Sequence, residues 1–126
     1  MSGQTVSTTV TTTGSAGSAT GSATLTLPAG WIEWIYLDYH ASAPATTDVT
    51  IAYADTPPGG NVLAVSNSAT DALYFPRSGC VTNAAAAITN SFTRYPAGEA
   101  LSVSVAQADA LTGAVTVYAH VVTHQD

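Results

Sequence analysis

Short runs of β-branched and aromatic residues, separated by Pro, Gly, Asn and Asp, recur along the chain from position 23 onward. The clearest run, 101–105, alternates Leu or Val with Ser, which is the two-residue period of a half-buried strand. The spacing of the runs is typical of an all-β sandwich. The helical candidates, 84–87 and 106–111, are too short to be stable alone. We therefore predict an all-β fold, a β-sandwich of eight or nine strands with jelly-roll topology.

The most apolar segment is predicted to be a central strand. Residues 31–40 carry large apolar side chains at both odd and even positions. This pattern is typical of a strand that is covered on both faces. Just before it, Pro28-Ala29-Gly30 has the composition of a type I turn, and the same tripeptide recurs at 96–98.

The first 22 residues differ in composition from the rest. They are mostly Thr, Ser, Gly, Ala and Val, which favour extended backbone but supply few large side chains for a core. We predict an extended N-terminal arm over 1–22 and a single β-sandwich domain over 23–126. Such an arm would become ordered by adding to the sheet edge of a partner, and a flexible tail is the alternative. The arm residues predicted to bind a partner are Thr5, Val6, Thr8 and Val10.

The charge balance excludes some classes of partner. The 126 residues contain two Arg and no Lys against eight carboxylates, giving a formal net charge of −6. Two cations cannot build the basic surface that nucleic acid or an anionic membrane requires, so neither is expected as a partner. Charged residues are only 8% of the chain, whereas soluble sheets usually protect their edges with charges. Either the fold covers its own edges or another chain covers them; we expect the second, which predicts a homo-oligomer.

Both arginines lie beside aromatic residues and Pro, in the segments 74–77 and 94–96. Because a guanidinium group binds a carboxylate through paired hydrogen bonds, each arginine is expected to pair with Asp or Glu. The sequence leaves open whether that carboxylate belongs to the same chain or to a neighbouring one. The candidate interface residues are Tyr74, Arg77, Arg94 and Tyr95.

No residue pattern points to catalysis. The aspartates at 48, 55, 71 and 109 lie at strand ends or in turns, where Asp commonly binds backbone amides. Glu33 and Asp38 are five residues apart, so on a strand they face opposite sides and do not form a glycosidase pair. No serine lies in a Gly-x-Ser-x-Gly motif. We therefore expect no enzymatic activity, no catalytic residues and no cofactor.

Metal binding is the weaker interpretation of the histidines. His120 and His124 are four residues apart on the last predicted strand and would face the same side, and His40 and Asp38 are conceivable further ligands. A zinc site needs three or four convergent ligands, so no metal site is predicted. Cys80 is the single cysteine and is expected to be a half-buried free thiol.

Neither a secretory signal nor a membrane-spanning helix is expected. The first residues lack the basic and apolar regions of a signal peptide. The most apolar stretch, 31–37, contains Glu33 and is far shorter than the roughly 20 residues that a spanning helix needs. Synthesis in a cytoplasm is therefore the expectation.

Five segments resemble small structural proteins of tailed bacteriophages, most of all head-decoration, or cement, proteins. These segments are GSATLTLPAG (21–30), WIYLDYH (34–40), TDVTI (47–51), ATDALYFPR (69–77) and SVSVAQ (102–107). The resemblance implies a trimeric sandwich or jelly-roll protein, made in the host cytoplasm and located on the capsid surface of the virion. It implies that the trimer binds the major capsid protein of the same phage and stabilises the icosahedral head. No catalytic residues follow from it.

Two other functions fit the same sequence. One is another structural component of the virion, such as a tail or connector subunit. The other is a carbohydrate-binding β-sandwich module that uses exposed aromatic side chains. The aromatic candidates for that role are Trp31, Trp34, Tyr36, Tyr74 and Tyr95.

Overall fold

A computed structural model describes residues 3–123, and this part of the chain contains ten strands and no helix. The strands are β1 (Gly3–Val10), β2 (Ala19–Thr26), β3 (Trp31–Tyr39), β4 (Asp48–Tyr53), β5 (Asn61–Val65), β6 (Ala72–Tyr74), β7 (Arg77–Val81), β8 (Ala87–Arg94), β9 (Ala100–Ala108) and β10 (Val115–Val122). The alanine-rich segment 84–87 forms a turn and the start of β8 rather than a helix.

Eight of the strands form two four-stranded antiparallel sheets, and β7 and β8 form a separate hairpin. The first sheet has the order β1-β10-β3-β6 and the second the order β2-β9-β4-β5. Strand β1 pairs with β10, β2 with β9, β3 with β6 and β4 with β5. This nested pairing is that of an eight-stranded jelly roll. The predicted all-β sandwich and its topology are confirmed, with hairpin β7–β8 inserted between β6 and β9.

The core lies between the two large sheets and contains alternate residues of their strands. Ile35 and Leu37 of β3 are fully buried, as is Val103 of β9. The intervening residues Trp34 and Tyr36 point away from the core and are only partly buried. Strand β3 is therefore an inner strand, as predicted, but the expectation that both of its faces are covered is wrong. Its outer face is not covered by another layer of residues 3–123, and the large side chains there pack against each other across strands.

The structure corrects the predicted boundary between an arm and a sandwich domain at residue 23. Strand β1 pairs with β10 along its whole length and is an edge strand of the first sheet. Strand β2 starts at Ala19, so position 23 falls inside a strand. Val10 is fully buried, and Val6 packs against the core. Val6 and Val10 therefore supply the apolar contacts that anchor β1 to the core.

Deletion of residues 1–13 is expected to destabilise the sandwich by at least about 3 kcal/mol. It removes the fully buried side chain of Val10 and the partly buried side chain of Val6, where full burial of one valine contributes roughly 1.5–3 kcal/mol, and it leaves β10 as an unpaired edge. Urea unfolding followed by circular dichroism measures the loss. Ser7→Ala, on the exposed side of β1, is the control and should change stability by less than about 0.5 kcal/mol. An unchanged urea midpoint in the truncated chain would show that β1 is dispensable.

The two Pro-Ala-Gly turns lie against each other. The amide of Ala97 donates a hydrogen bond of 2.8 Å to the carbonyl oxygen of Gly30. Gly30 has a φ of 140°, and a Cβ there would collide with the carbonyl oxygen of Val122. The Tyr53 hydroxyl donates to the carbonyl oxygen of Pro96 at 2.6 Å. This contact ties the second sheet to the turn that leads out of hairpin β7–β8.

Candidate functional site

A single carboxylate, that of Glu33, contacts both arginines at the base of hairpin β7–β8. Glu33 of β3 accepts a hydrogen bond of 3.0 Å from Arg94 through Oε1, and its Oε2 lies 3.7 Å from the Arg77 guanidinium. Arg77 also donates to the backbone carbonyl of Glu33 at 3.2 Å. All three side chains are about one-third exposed. Both arginines of the chain therefore pair within the same chain, which answers the question that the sequence left open.

The β-strand geometry places these three charges together. Arg77 and Arg94 are directly opposite each other on β7 and β8, so their like charges would repel without a carboxylate between them. Glu33 lies at a bulge in β3, where the register with β10 shifts between the pair His120/Trp34 and the pair Val121/Ile32. A bulge redirects a side chain away from the regular alternation. The result is an open depression lined by Glu33, Arg77, Phe92, Thr93 and Arg94.

The exposed large apolar side chains of residues 3–123 all lie between positions 73 and 92. They are 43% to 65% exposed, with Phe92 the most exposed. We call this set the hairpin surface, and its residues are Leu73, Phe75, Val81, Ile88 and Phe92. Leu73 lies on β6, Phe75 in the link to β7, and the others on the hairpin itself. This concentration of exposed apolar side chains makes the segment a candidate interaction site.

The hairpin is uncharged beyond its base and has an ordered tip. Residues 78–93 contain no Asp, Glu, Lys, Arg or His. At the tip, Thr82 donates from its backbone amide to the carbonyl of Ala86 at 2.8 Å, and its hydroxyl accepts from the amides of Ala84 and Ala86 at 3.3 and 3.2 Å. These bonds close the turn locally. The hairpin therefore presents apolar side chains on a defined backbone without help from a charged residue.

A second candidate surface is the outer face of the first sheet, where neighbouring strands align side chains in rows. One row contains Trp34, stacked on His120 with ring centroids 5.1 Å apart, and Thr5, whose hydroxyl lies 2.9 Å from His120 Nδ1. In the next row, the ring centroids of Tyr36 and Tyr118 are 6.3 Å apart.

The third row of the same face is polar. Asp38 lies opposite Thr116, and the hydroxyls of Thr116 and Thr9 are 3.1 Å apart. We use the term aromatic face for all three rows together. Its residues are Thr5, Thr9, Trp34, Tyr36, Asp38, Thr116, Tyr118 and His120.

The candidate partner-binding residues of the N-terminal segment have different positions in the fold. Val6, Thr8 and Val10 lie opposite the inward-facing Ala119, Val117 and Val115 of β10. Val10 is fully buried and so cannot contact a partner through its side chain. Thr5 is exposed and faces outward beside His120. Of the predicted set, Thr5 is the residue best placed for binding.

The candidate aromatic residues also separate into groups. Tyr74 and Tyr95 are partly buried and pack against the core rather than standing free. Tyr95 also lies 6.5 Å from the ring of Tyr53, and burial raises the pKa of the Tyr53 phenol, as it does for Tyr39. Trp31 forms an isolated bridge with Pro96 near the hairpin base.

Among the described residues, no group of three or more His, Cys, Asp and Glu side chains could hold a metal ion. His120 is engaged with Thr5 and Trp34, and the His40 ring nitrogen accepts from the amide of Ser42 at 3.0 Å. His124 lies outside the described residues. Residues 3–123 also include no helix long and apolar enough to cross a membrane.

Sequence reasoning missed the hairpin surface. The composition of residues 88–95 is that of a strand, but period and composition do not show whether a strand packs on the sandwich or projects from it. The available signal was the long uncharged stretch 78–93, which contains Val81, Ile88 and Phe92 between the two arginines. That this stretch forms a hairpin fixed at its base could not be inferred from the sequence. Glu33, which pairs with both arginines, is distant from them in the chain.

No protein-family model matches this chain, and the search of curated proteins finds no match. Three solved variants of a family 29 carbohydrate-binding module are similar in structure, each 11% identical to this chain. Their TM-scores are 0.38, 0.35 and 0.37. The matches cover 96%, 93% and 96% of this chain and 81%, 76% and 81% of those proteins. At this level the similarity says nothing about what this chain binds.

Proposed function

We propose that this chain is a non-catalytic structural subunit that attaches to a larger protein assembly through the hairpin surface. The observation that carries the proposal is the confinement of exposed large apolar side chains to positions 73–92. In this proposal the assembly is the outside of an icosahedral phage head, as the sequence resemblance implies, and the partner is the major capsid protein. The chain would stabilise the head through buried area, without a cofactor.

The hairpin surface has the chemistry of a protein interface. Phe92 and Phe75 offer large rings that gain much free energy when removed from water, about 25 cal/mol per Å² of apolar area. Phe is enriched at the centre of protein interfaces, and charged residues are depleted there. The uncharged hairpin meets both conditions. A partner that covers Phe92 would also cover part of the open depression beside Glu33.

Charge supports attachment through this side of the molecule. Arg77 and Arg94 are the chain's only Lys or Arg residues, and Glu33 neutralises one of their two charges. The six other carboxylates of residues 3–123 form no ion pair with either arginine, so the rest of this part of the chain is acidic. An acidic surface approaching another acidic surface is repelled, whereas the uncharged hairpin is not. The hairpin is thus the side that binds a neutral or acidic protein surface at the lowest electrostatic cost.

The double variant Phe92→Ser/Ile88→Ser is expected to lose attachment to purified heads. Both side chains are exposed, so the substitutions should leave the unfolding free energy within about 1 kcal/mol of the parent. Two lost hot-spot contacts cost about 2 kcal/mol each or more, which weakens binding at least several hundredfold. Co-sedimentation with heads that lack the endogenous protein measures the effect. The control Tyr118→Ala, on the aromatic face, should still attach.

Two outcomes would overturn this assignment of the hairpin. One is full attachment by a folded Phe92→Ser/Ile88→Ser variant. The other is loss of a parent oligomer in sedimentation velocity with attachment unchanged, which would make the hairpin an interface between copies.

Sedimentation velocity of the parent also tests the proposed trimer. Electron microscopy of labelled particles separates the head surface from the alternative location in a tail or connector.

A further inference from the structure

We infer that the aromatic face of the first sheet is a binding site for a neutral oligosaccharide. This site adjoins the hairpin surface at Leu73, which lies opposite Tyr36 on β6, but it uses different side chains and does not depend on the proposed attachment. It consists of side chains from β1, β3 and β10, the strands at one end of the first sheet's order. If the chain attaches by its hairpin, the aromatic face would give the assembly a second, ligand-binding surface.

The first argument is the arrangement of the rings. Trp34 and Tyr36 lie two residues apart on β3, so their side chains are about 7 Å apart on the same face. Their partners His120 and Tyr118 stand beside them on β10. Four rings thus cover a continuous area that spans two strands. The ring planes of Trp34 and His120 are within 10° of parallel, whereas those of Tyr36 and Tyr118 are tilted by 47°. All four residues are partly buried rather than fully buried, so part of each ring stays available for packing against the C–H groups of a sugar.

The second argument is the density of hydrogen-bonding groups next to the rings. The hydroxyls of Thr5, Thr9 and Thr116 each act as donor and acceptor, and Asp38 is an acceptor at the end of the polar row. A sugar offers both donors and acceptors on every ring, so it can satisfy such a set. The core of a protein interface, by contrast, is depleted in Asp and Ser-like polar groups. The polar row therefore favours a glycan over a protein as the occupant.

The third argument is charge. Asp38 is the one formally charged residue among those assigned to the aromatic face, and the chain as a whole carries −6. An acidic polysaccharide or a nucleic acid would be repelled by this surface. A neutral oligosaccharide binds without that cost. The negative charge of the chain therefore favours a neutral over an acidic oligosaccharide.

Cross-strand ring pairs also stabilise sheets by about 0.2–1 kcal/mol each, so the rings would be useful without any ligand. A purely stabilising role predicts that ring removal changes stability but that no sugar binds. If the aromatic face binds sugar, ring removal should also lower the affinity for the sugar. Variants that lack a threonine hydroxyl should lower that affinity while the chain stays folded. Thr116→Ala tests this, because it removes one hydroxyl from the polar row and leaves every ring in place.

The experiment is isothermal titration calorimetry of the full chain with neutral gluco-, manno- and xylo-hexasaccharides. At least one is expected to bind with a Kd below about 1 mM. Trp34→Ala and Tyr118→Ala should each weaken that binding at least tenfold, and Thr116→Ala severalfold. The control Phe92→Ser, on the hairpin surface, should bind as the parent does. A hexuronate hexasaccharide is expected to bind more weakly than its neutral counterpart.

No binding of any neutral hexasaccharide by the folded parent would overturn the inference. So would binding that survives in both Trp34→Ala and Tyr118→Ala when circular dichroism shows both variants folded. If Trp34→Ala unfolds, Tyr118→Ala and Thr116→Ala carry the test, and undiminished sugar binding by both folded variants would overturn the inference. Loss of head attachment in Phe92→Ser/Ile88→Ser with normal sugar binding separates this site from the proposed function.

Discussion

Replacement of Leu37 by alanine is expected to lower the free energy of unfolding by about 2–5 kcal/mol. Leu37 lies on inner strand β3 and is fully buried between the two sheets. Its removal leaves a cavity that neighbours on both sheets cannot close without moving strands. Because small domains are stable by only about 5–15 kcal/mol in total, this one change removes a large share. Urea unfolding at equilibrium, followed by circular dichroism, measures the loss.

The chain offers a matched control for this experiment. Leu73 lies on neighbouring strand β6 but is 48% exposed, so Leu73→Ala removes the same atoms from a different environment. It should change stability by less than about 0.5 kcal/mol. Equal effects of the two substitutions would contradict the position of the core between the sheets.

Replacement of Glu33 by glutamine is expected to release the hairpin without unfolding the sandwich. The substitution removes the negative charge between Arg77 and Arg94, which then repel each other across β7 and β8. Because all three groups are about one-third exposed, solvent screening limits the loss to about 1–2 kcal/mol. That corresponds to amide hydrogen exchange roughly 5 to 30 times faster in residues 77–94. Exchange in the core strands should not change.

Hydrogen exchange with mass spectrometry measures this local effect directly. The control is Glu99→Gln, the same chemical change at an exposed carboxylate that forms no ion pair with Arg77 or Arg94. High salt should reduce the difference between Glu33→Gln and the parent, since it screens both the lost attraction and the new repulsion. Uniformly faster exchange across the whole chain would show that Glu33 supports the sandwich rather than the hairpin.

The release of the hairpin also connects to the proposed function. If the hairpin surface attaches the chain to a phage head, a looser hairpin must be ordered on binding, and that ordering costs affinity. Glu33→Gln should therefore weaken attachment less than Phe92→Ser/Ile88→Ser does. The charge cluster orients the surface, whereas the apolar side chains supply the contact.

The sequence was most informative where a physical rule acts over neighbouring residues. The two-residue alternation in 101–105 predicts a half-buried strand, and β9 contains those residues with Leu101, Val103 and Val105 in the core. Turn residues separated the strands, and their number and spacing were enough for a sandwich with jelly-roll topology. The same rules were insufficient for the N-terminal segment. Its small residues concealed Val6 and Val10, whose role depends on β10, more than a hundred positions away in the chain.

The candidate sites depended on contacts that no local pattern contains. Aromatic residues at 34 and 36 were visible in the sequence, but their partners Tyr118 and His120 come from the last strand. Likewise, Arg77 and Arg94 were expected to need a carboxylate, and the fold selects Glu33 through a bulge in β3. Pairing between distant strands fixes which side chains become neighbours, and many registers satisfy the same alternation.

The sequence by itself determined that this chain is an acidic, charge-poor all-β sandwich with two cations that require a partner. Those properties follow from composition and from the period of apolar residues, which are independent of how the strands are paired. The tertiary structure decided that β1 belongs to the sandwich, that Glu33 binds both arginines, and that Phe92 and its apolar neighbours remain exposed. These features depend on strand order and register, because burial is a property of what lies opposite a side chain and not of the side chain alone.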